Sequence, residues 1–551
     1  MLELSILQKA RLQYLPRVPQ ILQDLGKVDF EAVKKTAVDE TTLAVFPNLS
    51  HITDLCIVQK QAVAFKPLRV GVVLSGGQAA GGHNVITGLY DALKELNPES
   101  CIFGFLNGPA GIVKNKYQEL TAESIAPFRN QGGFDLIGSG REKIETPEQF
   151  ESALKTVQAL DLDGLIVVGG DDSNTNAAHL AEFFLQNGCK TAVVGVPKTI
   201  DGDLQNDSIE ISFGFDTACK IYSETIGNIA RDALSAKKYY YFVKLMGRSA
   251  SHITLECALQ THPNLALIGE EIHEKKETLS QVVTEIVELI VERAKAGKDY
   301  GVVILPEGTI EFLIDVRQLL NELNRLLVKD GEHIKKLEAL DTDFEKIAYI
   351  TPFLGPHAKA CFEIIPFSIQ LQLIQDRDPH GNVQVSKIET ERLLIGLVEN
   401  ELKKRKAKGE YTGKFSPQPI FCGYEGRASL PSNFDADYCY NLGRLAAILV
   451  AQKKTGYMAA LSQLTKPVSQ WQAKGASLVS MIHFEEREGK KKTVIKKALV
   501  DLHGKVFELF CQKRAGFRLD DSYCQPGPIQ FFGPDELTSK PPLSLILRDK
   551  I

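Results

Sequence analysis

Three short segments gather residue types that handle phosphate groups. The stretch Ser75-Gly76-Gly77-Gln78-Ala79-Ala80-Gly81-Gly82-His83-Asn84 is rich in glycine. Glycine lets a backbone turn tightly and approach a ligand, and the unpaired N–H groups at a helix start attract phosphate oxygens. In Gly169-Gly170-Asp171-Asp172-Ser173-Asn174 two adjacent carboxylates precede a helix-forming stretch. One residue suffices to cap a helix, with Asp172 or Ser173 the candidates, and the surplus carboxylate, Asp171, suits a hard cation such as Mg²⁺ that bridges to phosphate. Pro197-Lys198-Thr199-Ile200-Asp201-Gly202-Asp203 combines a cation, a hydroxyl and two carboxylates. In extended backbone Asp201 and Asp203 point the same way, toward one substrate, while Lys198 and Thr199 hold phosphate. Each segment alone has an ordinary reading as a tight turn, a helix cap or a solvated loop. Their co-occurrence at three strand ends points to a site.

The elements that must position these segments are visible in the apolar pattern. Leu68–Leu74, Gly164–Val168 and Thr191–Val196 lead directly into the three loops, and Cys101–Leu106, Tyr239–Leu245 and Val302–Leu305 are similar runs. Amphipathic stretches such as Asn84–Leu96 and Asn174–Gln186 alternate with them, which predicts an α/β fold with mostly parallel, doubly wound sheets. Ligands of such sheets bind at the carboxyl ends of the strands, where all three loops fall. The first loop fits neither GxxxxGK[ST] nor GxGxxG in the required spacing, which argues against a P-loop kinase and a dinucleotide-binding dehydrogenase.

The flanks differ. Residues 1–65 read as a helical extension, 66–235 and 236–460 as two α/β domains, the second with a helical insertion at about 310–410, and 461–551 as a C-terminal region packed on the core. Thr278–Ala296 carries Leu279, Val282, Val283, Ile286, Leu289 and Ile290 on one helical face, a core-packing stripe. The charged run Glu485–Lys497 reads as solvated surface.

Composition narrows the function classes. The 551 residues include 64 basic and 69 acidic side chains, a net charge of −5, so no broadly basic surface offers itself to nucleic acid. No apolar run approaches the roughly 18 residues of a membrane span, and residues 1–19 lack the pattern of a secretory signal, so a cytoplasmic protein is expected. Ten scattered cysteines without a CxxC pair predict free thiols, not a disulfide framework or a zinc site.

Gly169-Gly170-Asp171-Asp172-Ser173-Asn174, Pro197-Lys198-Thr199-Ile200-Asp201, Met246-Gly247-Arg248, Pro306-Glu307-Gly308 and Gly423-Tyr424-Glu425-Gly426-Arg427 stand in this order along the chain. In type and order they resemble the motifs of the phosphofructokinase family, and specifically its long pyrophosphate-dependent branch. The resemblance spans residues of about 66 to 440, and the helical flanks suit the long form. It implies two Rossmann-like domains, transfer of a phosphoryl group from Mg²⁺-bound pyrophosphate to fructose 6-phosphate, and a reversible reaction usable in both directions of sugar metabolism.

Carried over to this sequence, the resemblance implies that Gly76 and Gly77 contact pyrophosphate, that Asp171 holds Mg²⁺ and that Arg141 neutralises the transferring phosphoryl group. Asp201 would accept the hydroxyl proton, with Thr199 and Asp203 lining the sugar phosphate. Met246, Gly247, Arg248, Glu307, Tyr424 and Arg427 would bind fructose 6-phosphate. Lys238-Tyr239 stand where a partner chain completes the sugar site, which implies a homodimer. Asp172 and Lys198 would set the donor. Both positions are typically glycine in ATP-using relatives, and a carboxylate at Asp172 would repel the nucleotide's α-phosphate. Two departures touch the site: Gly202 replaces an asparagine usual between the two aspartates, and Ala80 replaces a common proline. A non-catalytic subunit would be expected to lose the base, the metal carboxylate or the cations, whereas Asp201, Asp171, Lys198 and Arg141 are all present.

Overall fold

The computed structural model describes residues 4–33, 40–328, 331–377, 382–487 and 490–548. Among the described residues fifteen strands follow in chain order: β1 Val28–Ala32, β2 Leu55–Gln59, β3 Arg69–Leu74, β4 Cys101–Phe105, β5 Tyr117–Glu119, β6 Gly164–Gly169, β7 Ala192–Pro197, β8 Tyr240–Leu245, β9 Leu265–Ala266, β10 Gly301–Pro306, β11 Pro417–Cys422, β12 Tyr457–Ser462, β13 Gln472–Ser477, β14 Ile482–Arg487 and β15 Lys490–Ile495. The chain divides into two compact units, residues 1–218, 424–498 and 529–551 forming the first, and 219–423 and 499–528 the second.

The first unit is built on a nine-stranded sheet of order β1-β2-β13-β12-β7-β6-β3-β4-β5. Its middle, β12-β7-β6-β3-β4, is parallel, while β1, β2, β13 and β5 add antiparallel edges. β6 and β7 are buried along their full length, as strands covered on both faces must be. From β3 the chain steps to β4 on one side and then to β6 on the other, so the order of winding reverses at β3. The loops after β3 and β6 therefore emerge at a topological switch point, where open α/β sheets leave a crevice.

Helix Gly82–Leu96, which follows the first loop, packs on helix Asn433–Ala451. Glycines let the two approach so closely: a Cβ at Gly88 would overlap the Tyr440 carbonyl oxygen, and one at Gly443 the Val85 carbonyl oxygen. This packing, together with the β12–β7 pairing, explains why residues 424–460 belong to the first unit, contrary to the expected division at 460. The first 65 residues are likewise not helical throughout. β1 and β2 extend the sheet edge, and the alternation that buries Val28 and Phe30 is strand periodicity, too short to stand out from its helical neighbours.

The second unit carries a four-stranded parallel sheet of order β11-β8-β10-β9. Between β10 and β11 lie seven α-helices among the described residues, from Thr309–Phe312 to Thr390–Ala407. Helix Leu279–Lys295 is capped by Thr278 and buries the predicted stripe. None of the ten cysteines, all of them among the described residues, forms a disulfide. Among the described residues no helix is long and apolar enough to cross a membrane.

Candidate active site

The three polar loops converge at the carboxyl edge of the first sheet. Gly76 has φ +85°, a left-handed conformation that favours glycine, and its N–H donates to the Gly140 carbonyl at 2.7 Å. Ser75 bridges to Gly140 in parallel register, which braces the Gly138-Ser139-Gly140-Arg141 turn against the first loop. Ser173 of the second loop donates from Oγ to Ser75 Oγ at 2.8 Å. From the third loop, the Lys198 ammonium donates to the Gly77 carbonyl at 2.7 Å.

Around this glycine turn lies a cavity of about 360 Å³, lined in part by Gly76, Gly77, Arg141, Tyr424 and Arg427. A Cβ at Gly77 would lie 3.3 Å from an Arg427 guanidinium nitrogen and 3.8 Å from one of Arg141, so the absent side chain leaves the two arginines room at the loop. Arg427 also donates to the Gln78 carbonyl at 3.3 Å. Tyr424 is exposed. The resemblance implied that Tyr424 and Arg427 bind the sugar phosphate; the structure puts them in the cavity of the glycine loop assigned to pyrophosphate.

Helix Asp171–Gln186 starts at this edge with Gly170 as N-cap and no side-chain cap. Asp172 and Ser173 are thus not caps, and both carboxylates stand in the first turn, where the partial positive charge of the helix end favours anions. The Asn174 amide donates to the Gly169 and Gly170 carbonyls and holds the turn. Asp172 is exposed and pairs with Lys143 at 3.1 Å. Asp171 is drawn above the usual carboxylate range by burial, opposed by Lys497 and reinforced by Asp172 and Asp203.

The third loop corrects one expectation. Asp201-Gly202-Asp203 is not extended, because Gly202 has φ +74°. A left-handed residue bends the chain, so strand alternation does not align the two carboxylates. Asp203 turns inward, is buried, and pairs with Lys497 at 3.2 Å, while its carbonyl accepts from the Ala498 N–H at 2.7 Å. Asp201 is partly exposed; its N–H donates to Thr199 Oγ1 at 3.1 Å, and its buried Oδ1 accepts no hydrogen bond from the described protein groups. Lys198 is buried. Burial and then the neighbouring Arg427 push its ammonium down to about 7, with Asp201 and Asp171 pulling the other way.

Lys497 is the residue that sequence reasoning missed. The run Glu485–Lys497 read as solvated surface, yet the β14–β15 hairpin docks on helix Asp171–Gln186: the His179 ring lies 2.7 Å from Thr493 Oγ1, and the Ile495 N–H donates to Thr175 Oγ1 at 3.1 Å. The signal was the buried pair Val494-Ile495 at the end of the charged run.

In the second unit, Met246-Gly247-Arg248 follows β8 and Glu307-Gly308 follows β10. The Glu307 N–H donates to the Leu245 carbonyl at 2.8 Å and that of Gly308 to Gly247 at 3.3 Å, so the two turns lie side by side. Gly247 has φ +118°, and a Cβ at Gly308 would overlap the Arg248 carbonyl oxygen. Met246 and Glu307 are buried, whereas Arg248 is exposed and pairs with Glu311 at 3.3 Å. Lys238 is exposed, its ammonium 4.8 Å from the Tyr239 ring centroid.

A family model described as Phosphofructokinase matches residues 69–343. A pyrophosphate--fructose 6-phosphate 1-phosphotransferase of Porphyromonas gingivalis is 48% identical over 98% of this chain and 98% of its own. The beta 2 subunit of the Arabidopsis thaliana enzyme of that name is 50% identical over 96% of this chain and 92% of its own. The solved structure of a pyrophosphate-dependent phosphofructokinase from Nitrosospira multiformis, at 16% identity, covers 86% of this chain and 96% of its own with a TM-score of 0.53, a likeness of fold. With the ordered motifs, the doubly wound sheets and relatives matched nearly end to end, the chain belongs to the phosphofructokinase family.

Proposed function

We propose that the chain transfers a phosphoryl group from Mg²⁺-bound pyrophosphate to the 1-hydroxyl of D-fructose 6-phosphate, giving fructose 1,6-bisphosphate and phosphate. The reaction is reversible and usable in glycolysis and gluconeogenesis. The names of the nearly full-length relatives supply the two substrates. The observation that carries the reading is the buried Lys198 ammonium on the glycine-loop carbonyl, with Arg141 and Arg427 at the same loop and Asp171 and Asp201 coupled to it.

The donor set fits Mg²⁺. Among the described residues no three His, Cys, Asp or Glu side chains form a metal cluster, so these residues offer no all-protein cage. Mg²⁺ ordinarily takes one or two carboxylates and fills its shell with phosphate oxygens and water. Asp171, a half-buried hard oxygen donor with Asp203 close by, would hold it. Bound there, the ion would neutralise charge on the phosphate oxygens.

Phosphoryl transfer through a loose transition state needs alignment and charge neutralisation more than covalent help. The Gly77 N–H, presented by the left-handed turn at Gly76, and the Arg141 and Arg427 guanidinium groups hold the diphosphate. Asp201 takes the proton from the 1-hydroxyl as its oxygen bonds to phosphorus and the bridging P–O bond breaks. The departing phosphate keeps that electron pair, and Lys198 neutralises its charge. Thr199 anchors the loop that carries Asp201, and Asp203 supports it from the buried side. Asp172 and Lys198 together select pyrophosphate over ATP, Asp172 contributing repulsion of a nucleotide's α-phosphate that its pairing with Lys143 partly screens. In the second unit Met246, Gly247, Arg248 and Glu307 bind fructose 6-phosphate. A homodimer, with Lys238 and Tyr239 completing the partner's sugar site, fits the exposure of Lys238, and light scattering on the purified protein tests it. Ten cysteines without a disulfide suit the reducing cytoplasm.

The deciding experiment follows fructose 1,6-bisphosphate formation from fructose 6-phosphate and Mg²⁺ with pyrophosphate or ATP as donor. Turnover with pyrophosphate alone is expected. Turnover with ATP alone would overturn the donor assignment, and silence with both would overturn the catalytic reading.

A further inference from the structure

Lys497 is held in place by the chain on both sides. The hairpin before it is seated on helix Asp171–Gln186, and the next residue, Ala498, donates its N–H to the Asp203 carbonyl. Its ammonium lies 3.2 Å from Asp203 and 3.9 Å from Asp171, on the carboxylate assigned to the metal.

We propose that Lys497 is a positioning residue of the donor site, an internal cation that occupies the Asp171–Asp203 carboxylate pair in the free enzyme, weakens binding of free metal, and makes metal binding depend on arrival of the diphosphate. Asp171 and Asp203 form a pair of carboxylates that needs a counter-ion, and a lysine from the C-terminal segment supplies one without any ligand. A divalent ion entering alone must approach Asp171 against a fixed positive charge about 4 Å away. A diphosphate brings several negative charges, offsets that repulsion and offers the ammonium a phosphate oxygen in exchange for Asp171. The same contact answers the question raised by Gly202: Asp203 keeps its place because Lys497 and Ala498 hold it, although the residue before it is a glycine.

The proposal rests on the reading of Asp171 as the metal carboxylate, and both are tested with Mn²⁺ as the spectroscopic substitute for Mg²⁺, its binding measured by electron paramagnetic resonance without substrate. Lys497→Met is expected to bind free Mn²⁺ on the order of 10-fold more tightly than wild type, and Lys497→Arg to stay close to wild type. Imidodiphosphate, a non-transferable diphosphate, should raise Mn²⁺ affinity more in wild type than in Lys497→Met. Unchanged or weaker Mn²⁺ binding by Lys497→Met would overturn the proposal, since a lysine that merely props the site open would lower affinity on removal. Circular dichroism of the variants guards against a folding defect, and retained affinity in Lys497→Arg shows that charge, not the hairpin, is read. If Asp171→Asn leaves Mn²⁺ binding intact, the metal assignment itself fails, a result distinguishable from failure at Lys497.

Discussion

The Lys198 ammonium lies 2.7 Å from the Gly77 carbonyl oxygen, so a cation at the end of β7 is buried against the glycine turn at the end of β3. Its position, with Arg427 nearby, brings its pKa down to about 7. The ammonium is therefore charged below that pH and largely neutral at pH 8. A bound diphosphate favours the charged form, so donor binding at pH 8 should draw a proton onto Lys198. Calorimetry in buffers of different ionisation enthalpy should find uptake of close to one proton more in wild type than in Lys198→Met. Equal uptake in the two proteins would show that Lys198 is not the group responding to the donor.

Asp201 carries a buried oxygen that accepts no hydrogen bond from the described protein groups, as suits a base awaiting a substrate proton. Asp201→Asn keeps the shape and removes the base. The turnover number should fall on the order of 10²–10⁴-fold, with a smaller change in KM for fructose 6-phosphate. Turnover equal to wild type would remove Asp201 from the mechanism.

Donor choice is assigned to Asp172 and Lys198, which the structure places differently: Asp172 is exposed and paired with Lys143, Lys198 is buried. The pairing with Lys143 screens Asp172, so its removal alone should open little ATP use. The double variant Asp172→Gly, Lys198→Gly should lose pyrophosphate-driven turnover and gain measurable ATP-driven turnover in the same coupled assay. A donor preference identical to wild type would contradict the assignment.

The glycine turn is positioned by the close contact of helices Gly82–Leu96 and Asn433–Ala451. A methyl group at Gly88 meets the Tyr440 backbone carbonyl, which has no flexible side chain to move aside. Gly88→Ala should destabilise the protein by about 1–3 kcal/mol through overpacking, seen as a lower denaturant midpoint. Gly188→Ala, where a Cβ meets nothing within 4 Å but φ is +62°, separates the effect of crowding from that of backbone strain. A midpoint unchanged in Gly88→Ala would mean that the two helices can part without cost.

Much of the site was legible because it is local. The apolar runs before Ser75, Gly169 and Lys198, and the loops that end them, are contiguous in sequence, and a parallel sheet brings the carboxyl ends of neighbouring strands to one edge. Asp171, Lys198, Asp201 and the glycine turn thus follow from pattern alone. The pattern could not reveal the bend at Gly202, because extended and left-handed glycines look alike in a sequence. It also could not reveal β1 and β2, whose pairing depends on β13, more than 400 residues away.

What the sequence determined by itself is the set of groups: a glycine turn, adjacent carboxylates, and a lysine followed by an aspartate, each at the end of a buried strand, in the order that marks the family. What only the tertiary structure decided is which distant charges meet them. Arg427 reaches the first loop because helix Asn433–Ala451 packs beside helix Gly82–Leu96, and Lys497 reaches Asp171 and Asp203 because Thr493 and Ile495 seat the hairpin on helix Asp171–Gln186. Local propensity acts over a few residues, whereas both encounters join residues roughly 300 or more positions apart, with residues 219–423 between them in the chain, and side-chain packing of the folded chain is what selects them.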